Sequence, residues 1–173
     1  SNPVYAQWSP QAAAITGAAN AWAPLSVDPL RHLVFVPTGS SSPDFFGGLR
    51  PGDGRWANSV VALDGDTGKL AWGYQLVHHD LWDYDSAAQP SLVTLQHDGR
   101  TIPAVIQPTK TGMLFTFDRE TGKPVFPIVE KPVPQDGAPG EVLSKTQPFP
   151  VAPAPLVRHG PVTGDDLAHV SFG

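Results

Sequence analysis

The chain has 173 residues and a net charge of −5, with 20 Pro, 17 Gly and no Cys. That length suits one ordinary domain, and so much Pro and Gly calls for many turns and few long helices. The acidic balance without a basic block argues against nucleic acid or anionic membrane as partners. The missing Cys excludes disulfides and thiolate metal sites, and no run of about 18 apolar residues is present to span a bilayer.

The chain opens Ser1-Asn2 without Met or a signal peptide, as a processed or excised chain would, and 1–21 reads as a lead-in. A four-stranded unit is expected over 22–76, with strands at Trp22 to Val27, Leu33 to Val36, Asn58 to Leu63 and Leu70 to Gln75. Asp28-Pro29 marks its first hairpin turn. Thr38 to Arg55, rich in Gly, Ser, Pro and Asp, interrupts it as a long loop. A linker over 77–90 concentrates His, Asp and Trp. A second unit over 91–131 places strands at Ser91 to Gln96, Pro103 to Gln107, Met113 to Phe117 and Pro124 to Val129, with His97-Asp98-Gly99 at a hairpin turn. The remainder, 132–173, is a Pro-rich tail expected to run extended and outside any blade, with Thr163 to Leu167 read as the cap of a short helical turn.

The two units repeat. Leu63-Asp64-Gly65-Asp66-Thr67-Gly68-Lys69 returns as Phe117-Asp118-Arg119-Glu120-Thr121-Gly122-Lys123, with Thr67 and Thr121 standing 54 positions apart and Trp72 matched by Phe126. Each copy reads as strand, tight turn, strand: Asp opens the turn and Gly supplies positive φ at its end. Units of about 40–50 residues with four short strands mark an all-β chain of β-propeller blades. A β-sandwich with a chance echo of the turn is the alternative. Two blades cannot close a ring, so a fragment, or self-association through open blade faces, is expected.

His78-His79-Asp80-Leu81-Trp82-Asp83-Tyr84-Asp85 is the densest polar cluster. Loops between blades gather at the ends of a propeller's axis, where a carboxylate acts as a base or holds a hard cation. By themselves these residues equally suit a loop stapled by Asx turns. Lys110 by itself reads as a solvated turn residue, and Trp22 as a core tryptophan.

Val77 to Asp85, then Ala88-Gln89-Pro90-Ser91-Leu92, then Pro108-Thr109-Lys110-Thr111-Gly112, together resemble the membrane-bound glucose and quinate dehydrogenase branch of PQQ-dependent enzymes. Pro37 to Asp44 with Gly47-Gly48, Glu130 to Gln135, and Thr146 to Phe149 extend the resemblance from about Trp22 to Phe149. It implies an eight-bladed propeller in the full-length protein, with tryptophan-docking repeats, and PQQ on the axis beside Ca2+ or Mg2+. It puts Asp83 in the place of the general base, Lys110 beside the quinone oxygens and Trp22 under the PQQ ring, with His79 as a further cofactor contact. The physical fit is clear: an indole face suits a flat electron-poor ring, an ammonium suits a developing oxyanion, and a carboxylate suits an alcohol proton. Metal ligation would fall to Asp83 and Ser40, although Ser40 stands where alcohol-oxidising relatives carry Asn, a better ligand. The implied activity is oxidation of a sugar, polyol or cyclic alcohol, with electrons passing to ubiquinone, in the periplasm. Whether an inner-membrane anchor exists is left open, and the isolated chain is expected to be inactive. A protein-binding propeller of the outer-membrane assembly type, or a degenerate enzyme, is the alternative.

Overall fold

Leu33-Val34-Phe35-Val36-Pro37 alternates buried and half-buried residues, as a strand with one face on a core must. In the computed structural model, which describes residues 17–160 with Ala14, Thr163 and Gly164, this segment is the second strand of a four-stranded antiparallel meander. The strands are β1 (Ser26–Asp28), β2 (Leu33–Pro37), β3 (Ser59–Asp64) and β4 (Leu70–Gln75). A second meander holds β5 (Ser91–His97), β6 (Arg100–Pro108) and β7 (Leu114–Asp118). The architecture is all-β and of the propeller type. The cap expected over Thr163 to Leu167 falls largely outside the described residues.

Two details differ from the sequence reading. The second sheet has three strands. Pro124 forms a single bridge to Phe117 and Val125 N–H donates to the Thr116 carbonyl at 2.8 Å, but the ladder stops there. Pro124 and Pro127 have no N–H to continue it. The chain instead forms β8 (Ile128–Pro132), paired with β9 (Thr146–Pro150), so part of the Pro-rich tail is a β-ribbon. Its register explains how. Pro150 faces Ile128, Pro148 faces Glu130 and Pro132 faces Thr146, all on one phase of the ladder. The N–H groups that prolines lack are then not required, and Val129, Lys131, Gln147 and Phe149 carry the bonds.

The two repeated corners match bond for bond. Thr67 N–H donates to Asp64 Oδ1 at 2.7 Å and Thr121 N–H to Asp118 Oδ1 at 2.9 Å. Gly68 N–H reaches the Asp64 carbonyl at 2.8 Å, and Gly122 N–H the Asp118 carbonyl at 2.9 Å. Both glycines have positive φ, +69° and +67°. Trp72 joins the blades: its Nε1–H donates to the Arg119 carbonyl at 2.8 Å and its ring lies on Gly122. Phe35, Phe115, Phe117, Val60 and Val105 are buried around it and form one core shared by both sheets.

The corners supply their own control. A Cβ on Gly122 would sit 2.5 Å from Trp72 Cδ2, whereas one on Gly68 meets nothing within 4 Å. Both Gly→Ala changes carry the left-handed backbone penalty, but only Gly122→Ala overpacks the indole, which typically costs about 1–3 kcal/mol. Gly122→Ala is expected to shift the urea midpoint further down than Gly68→Ala; equal midpoints would mean that Trp72 docking contributes nothing.

Candidate active site

The end of β6 delivers Lys110 on a tight turn. Gly112 N–H donates to the Thr109 carbonyl at 2.9 Å, and the Thr109 hydroxyl to the Met113 carbonyl at 2.9 Å. The linker after β4 delivers Asp83 with φ +56°, a left-handed conformation uncommon for a non-glycine residue. These two loops meet. Lys110 Nζ donates to the Asp83 carbonyl at 2.6 Å and lies 3.3 Å from Asp83 Oδ2 and 3.1 Å from Asp85 Oδ2. The Trp22 indole lies beside the Asp85 carboxylate, whose proton affinity it helps lower, and 56% of Trp22 remains exposed. Gly39 makes the approach possible, because a Cβ there would collide with the Asp85 carboxylate and lie 3.1 Å from Trp22 Nε1.

The electrostatics follow from this geometry. The hydrogen bond with Asp85, and then burial, push the Asp83 carboxyl above its ordinary value, with Lys110 pulling the other way. Burial pushes Asp85 up, but the Ser40 N–H, Asp83, Lys110 and Trp22 outweigh it and hold its carboxyl below the usual range. Burial pulls Lys110 down, yet Asp85 and Asp83 raise it overall. Asp83, its carboxyl raised by Asp85 and set beside a fixed ammonium, can in its ionised form accept a proton from a neighbouring hydroxyl. A cleft of about 970 Å3, walled by Trp82, Tyr84, Lys110, Met113 and Phe149, opens beside this group.

The structure thus brings Trp22, Asp83 and Lys110 together and adds Asp85, which sequence reasoning had not singled out. The Asp83-x-Asp85 spacing was its only signal. It does not bring His79 to them. That ring is buried, with Nδ1–H donating to the Gly52 carbonyl at 2.7 Å and Nε2 lying 3.5 Å from Glu141 Oε2, so it ties the linker to the 38–55 loop. Nor does Ser40 offer its hydroxyl to the Asp83 side. The hydroxyl donates to the buried Asp80 carboxylate and accepts from Asn58 Nδ2 at 3.0 Å, while the Ser40 N–H donates to Asp85 Oδ1 at 2.7 Å. Among the described residues no three His, Asp or Glu side chains assemble to hold a metal.

The sequence profile described as "PQQ: Glucose/ethanol/alcohol dehydrogenase, beta-propeller domain" matches residues 2–172. The chain is 49% identical over 131 residues to quinoprotein glucose dehydrogenase of Escherichia coli, covering 75% of this chain and 16% of that protein. It is 50% identical over 131 residues to quinate/shikimate dehydrogenase (quinone) of Acinetobacter baylyi, with the same coverage of 75% and 16%. The crystal structure of quinohemoprotein alcohol dehydrogenase from Comamonas testosteroni superposes with a TM-score of 0.66 at 30% identity, over 87% of this chain and 22% of that one. The chain therefore spans about a sixth of the length of the curated relatives it matches.

Proposed function

We propose that this chain, which belongs to the β-propeller family of PQQ-dependent glucose, ethanol and alcohol dehydrogenases, supplies the proton-accepting side of the active site of a quinoprotein oxidising a sugar, polyol or cyclic alcohol. The observation that carries the reading is the Lys110 ammonium held between Asp83 and Asp85, beside the half-exposed indole of Trp22. Within it, 22–76 and 91–131 act as adjacent blades joined by the 77–90 linker. The open face of Gly68, where its counterpart Gly122 carries Trp72, supports a further blade packing there in the whole protein.

The residues fit PQQ: an exposed indole next to a cation is a platform for a flat anionic ring. The chemistry PQQ contributes when bound is acceptance of hydride from the carbinol carbon. Trp22 offers the stacking face, Lys110 fixes positive charge at the rim, and the Asp83 carboxylate takes the hydroxyl proton. The raised carboxyl of Asp83 suits a base, because proton acceptance is most efficient when its conjugate acid titrates nearer the working pH. The family also implies a metal ion, but the donors here do not compose its site. An ammonium stands between the two carboxylates, and the Ser40 hydroxyl is spent on Asp80 and Asn58. Asp83 and Ser40 are therefore not assigned as metal ligands, and Ca2+ or Mg2+ would rest on residues other than the described ones. Transfer of electrons to ubiquinone, a periplasmic location, inactivity of the isolated chain and self-association through its open blade faces belong to the same proposal.

The test is PQQ titration of the full-length protein, assayed with a dye acceptor on glucose, quinate and simple polyols. No turnover on any of them removes the reading. An Asp85→Asn arm checks the electrostatics. Asp83 holds its proton up to an elevated pH chiefly because of Asp85, so the base form is lost as pH falls through that raised value. Without the Asp85 carboxylate, Asp83 loses its proton at lower pH, and the acid limb of kcat/KM is expected to move down. A limb that stays or rises contradicts the raising of Asp83 by Asp85.

A further inference from the structure

We infer that the buried Asp80 carboxylate is the positioning residue of this site, locking the 80–85 loop so that Asp83 and Asp85 meet Lys110; the inference rests on the functional reading above. Asp80 is 2% exposed, and both its oxygens are occupied. Oδ1 accepts from Trp82 N–H at 2.9 Å, and Oδ2 accepts from Tyr84 N–H at 2.7 Å. These two amides bracket Asp83, whose left-handed backbone persists only if its surroundings over-determine it. Oδ2 also accepts from Asn58 Nδ2 at 2.8 Å and from the Ser40 hydroxyl. Asn58 in turn donates to the Tyr84 carbonyl at 2.9 Å. Arg50 donates to the Asp80 carbonyl and to the Pro43 carbonyl, fixing the start of the loop.

Ser40 makes the connection to the reactive pair. Its hydroxyl holds Asp80 and its N–H holds Asp85, so one residue sets both carboxylates relative to each other. The two Asp80 oxygens accept from four donors at once. Asp80→Asn keeps the shape but turns an NH2 group against at least one of them.

The experiment uses the full-length protein with Asp80→Asn and, as a milder change that keeps the protein folded, Ser40→Ala, which removes one donor and leaves the Asp80 carboxyl group in place. With PQQ bound, Asp80→Asn is expected to lower kcat about 100-fold, the scale of an ångström-sized misplacement, with KM and PQQ affinity changed less than about threefold. Ser40→Ala is expected to lower kcat about tenfold, the size of one lost hydrogen bond. In PQQ-free protein, amide exchange across 81–86 and acylation of Lys110, both read by mass spectrometry, are expected to rise in both variants. Unchanged exchange and labelling overturn the inference, as does faster exchange with wild-type kcat. If the wild type shows no PQQ-dependent turnover, the functional reading falls, and exchange and labelling still decide whether Asp80 sets this geometry.

Discussion

Asp83→Asn in the full-length protein is expected to lower kcat/KM by about 10²–10⁴-fold, the contribution of a positioned general base, while PQQ still binds. The substitution is almost isosteric. The Asp83 carbonyl keeps its 2.6 Å bond from Lys110, and Asp85, beside Trp22, is unchanged, so the platform and the cation stay in place. What disappears is the carboxyl that is pushed above its ordinary value and can take a hydroxyl proton. Asp85 cannot substitute, because its oxygens are held by the Ser40 N–H, Trp22 and Lys110 and its carboxyl is kept below the usual range. Steady-state rates with a dye acceptor, together with an absorbance titration of PQQ, separate catalysis from binding. Activity within threefold of wild type would take Asp83 out of the reaction.

The second large effect is on stability. Phe117 is fully buried at the junction of the blades, with ring centroids 5.0 Å from Tyr74 and 5.7 Å from Trp72. Phe117→Ala removes a ring shared by both sheets and leaves a cavity that rigid strands cannot close; a loss of about 3–5 kcal/mol is expected. Leu70→Ala is the comparison. Leu70 is also on a strand but 48% exposed, and its truncation should stay within about 0.5 kcal/mol. Urea midpoints of both variants decide it, and similar shifts would mean that the blades do not share a core. The Asp118 corner follows Phe117 directly and carries the Arg119 carbonyl that receives Trp72. Loss of the ring therefore loosens the blade contact as well as the core.

Much of the fold was legible because its causes are local. Alternation in Leu33 to Pro37 and the Asp-x-x-Thr-Gly corners act over a few residues, and the 54-residue echo reports two copies of one unit. The tail was misjudged for an equally physical reason. Polyproline and strand backbones share much of φ/ψ space, so Gln147-Pro148-Phe149-Pro150 suits either. Only a partner settles the choice, and β8 supplies one whose register leaves the prolines off the bonded phase.

The sequence by itself determined the strands β1 to β7, the corners and the residue types of the candidate site, because periodicity, turn chemistry and motif order are written along the chain. Tertiary structure decided which of those residues act on one another. It set Lys110 between Asp83 and Asp85, buried Asp80 under the loop, and turned His79 toward Glu141. The Lys110 and His79 pairings join loops 25 or more positions apart, and a carboxylate's protonation depends on which donors and charges those loops bring within about 4 Å.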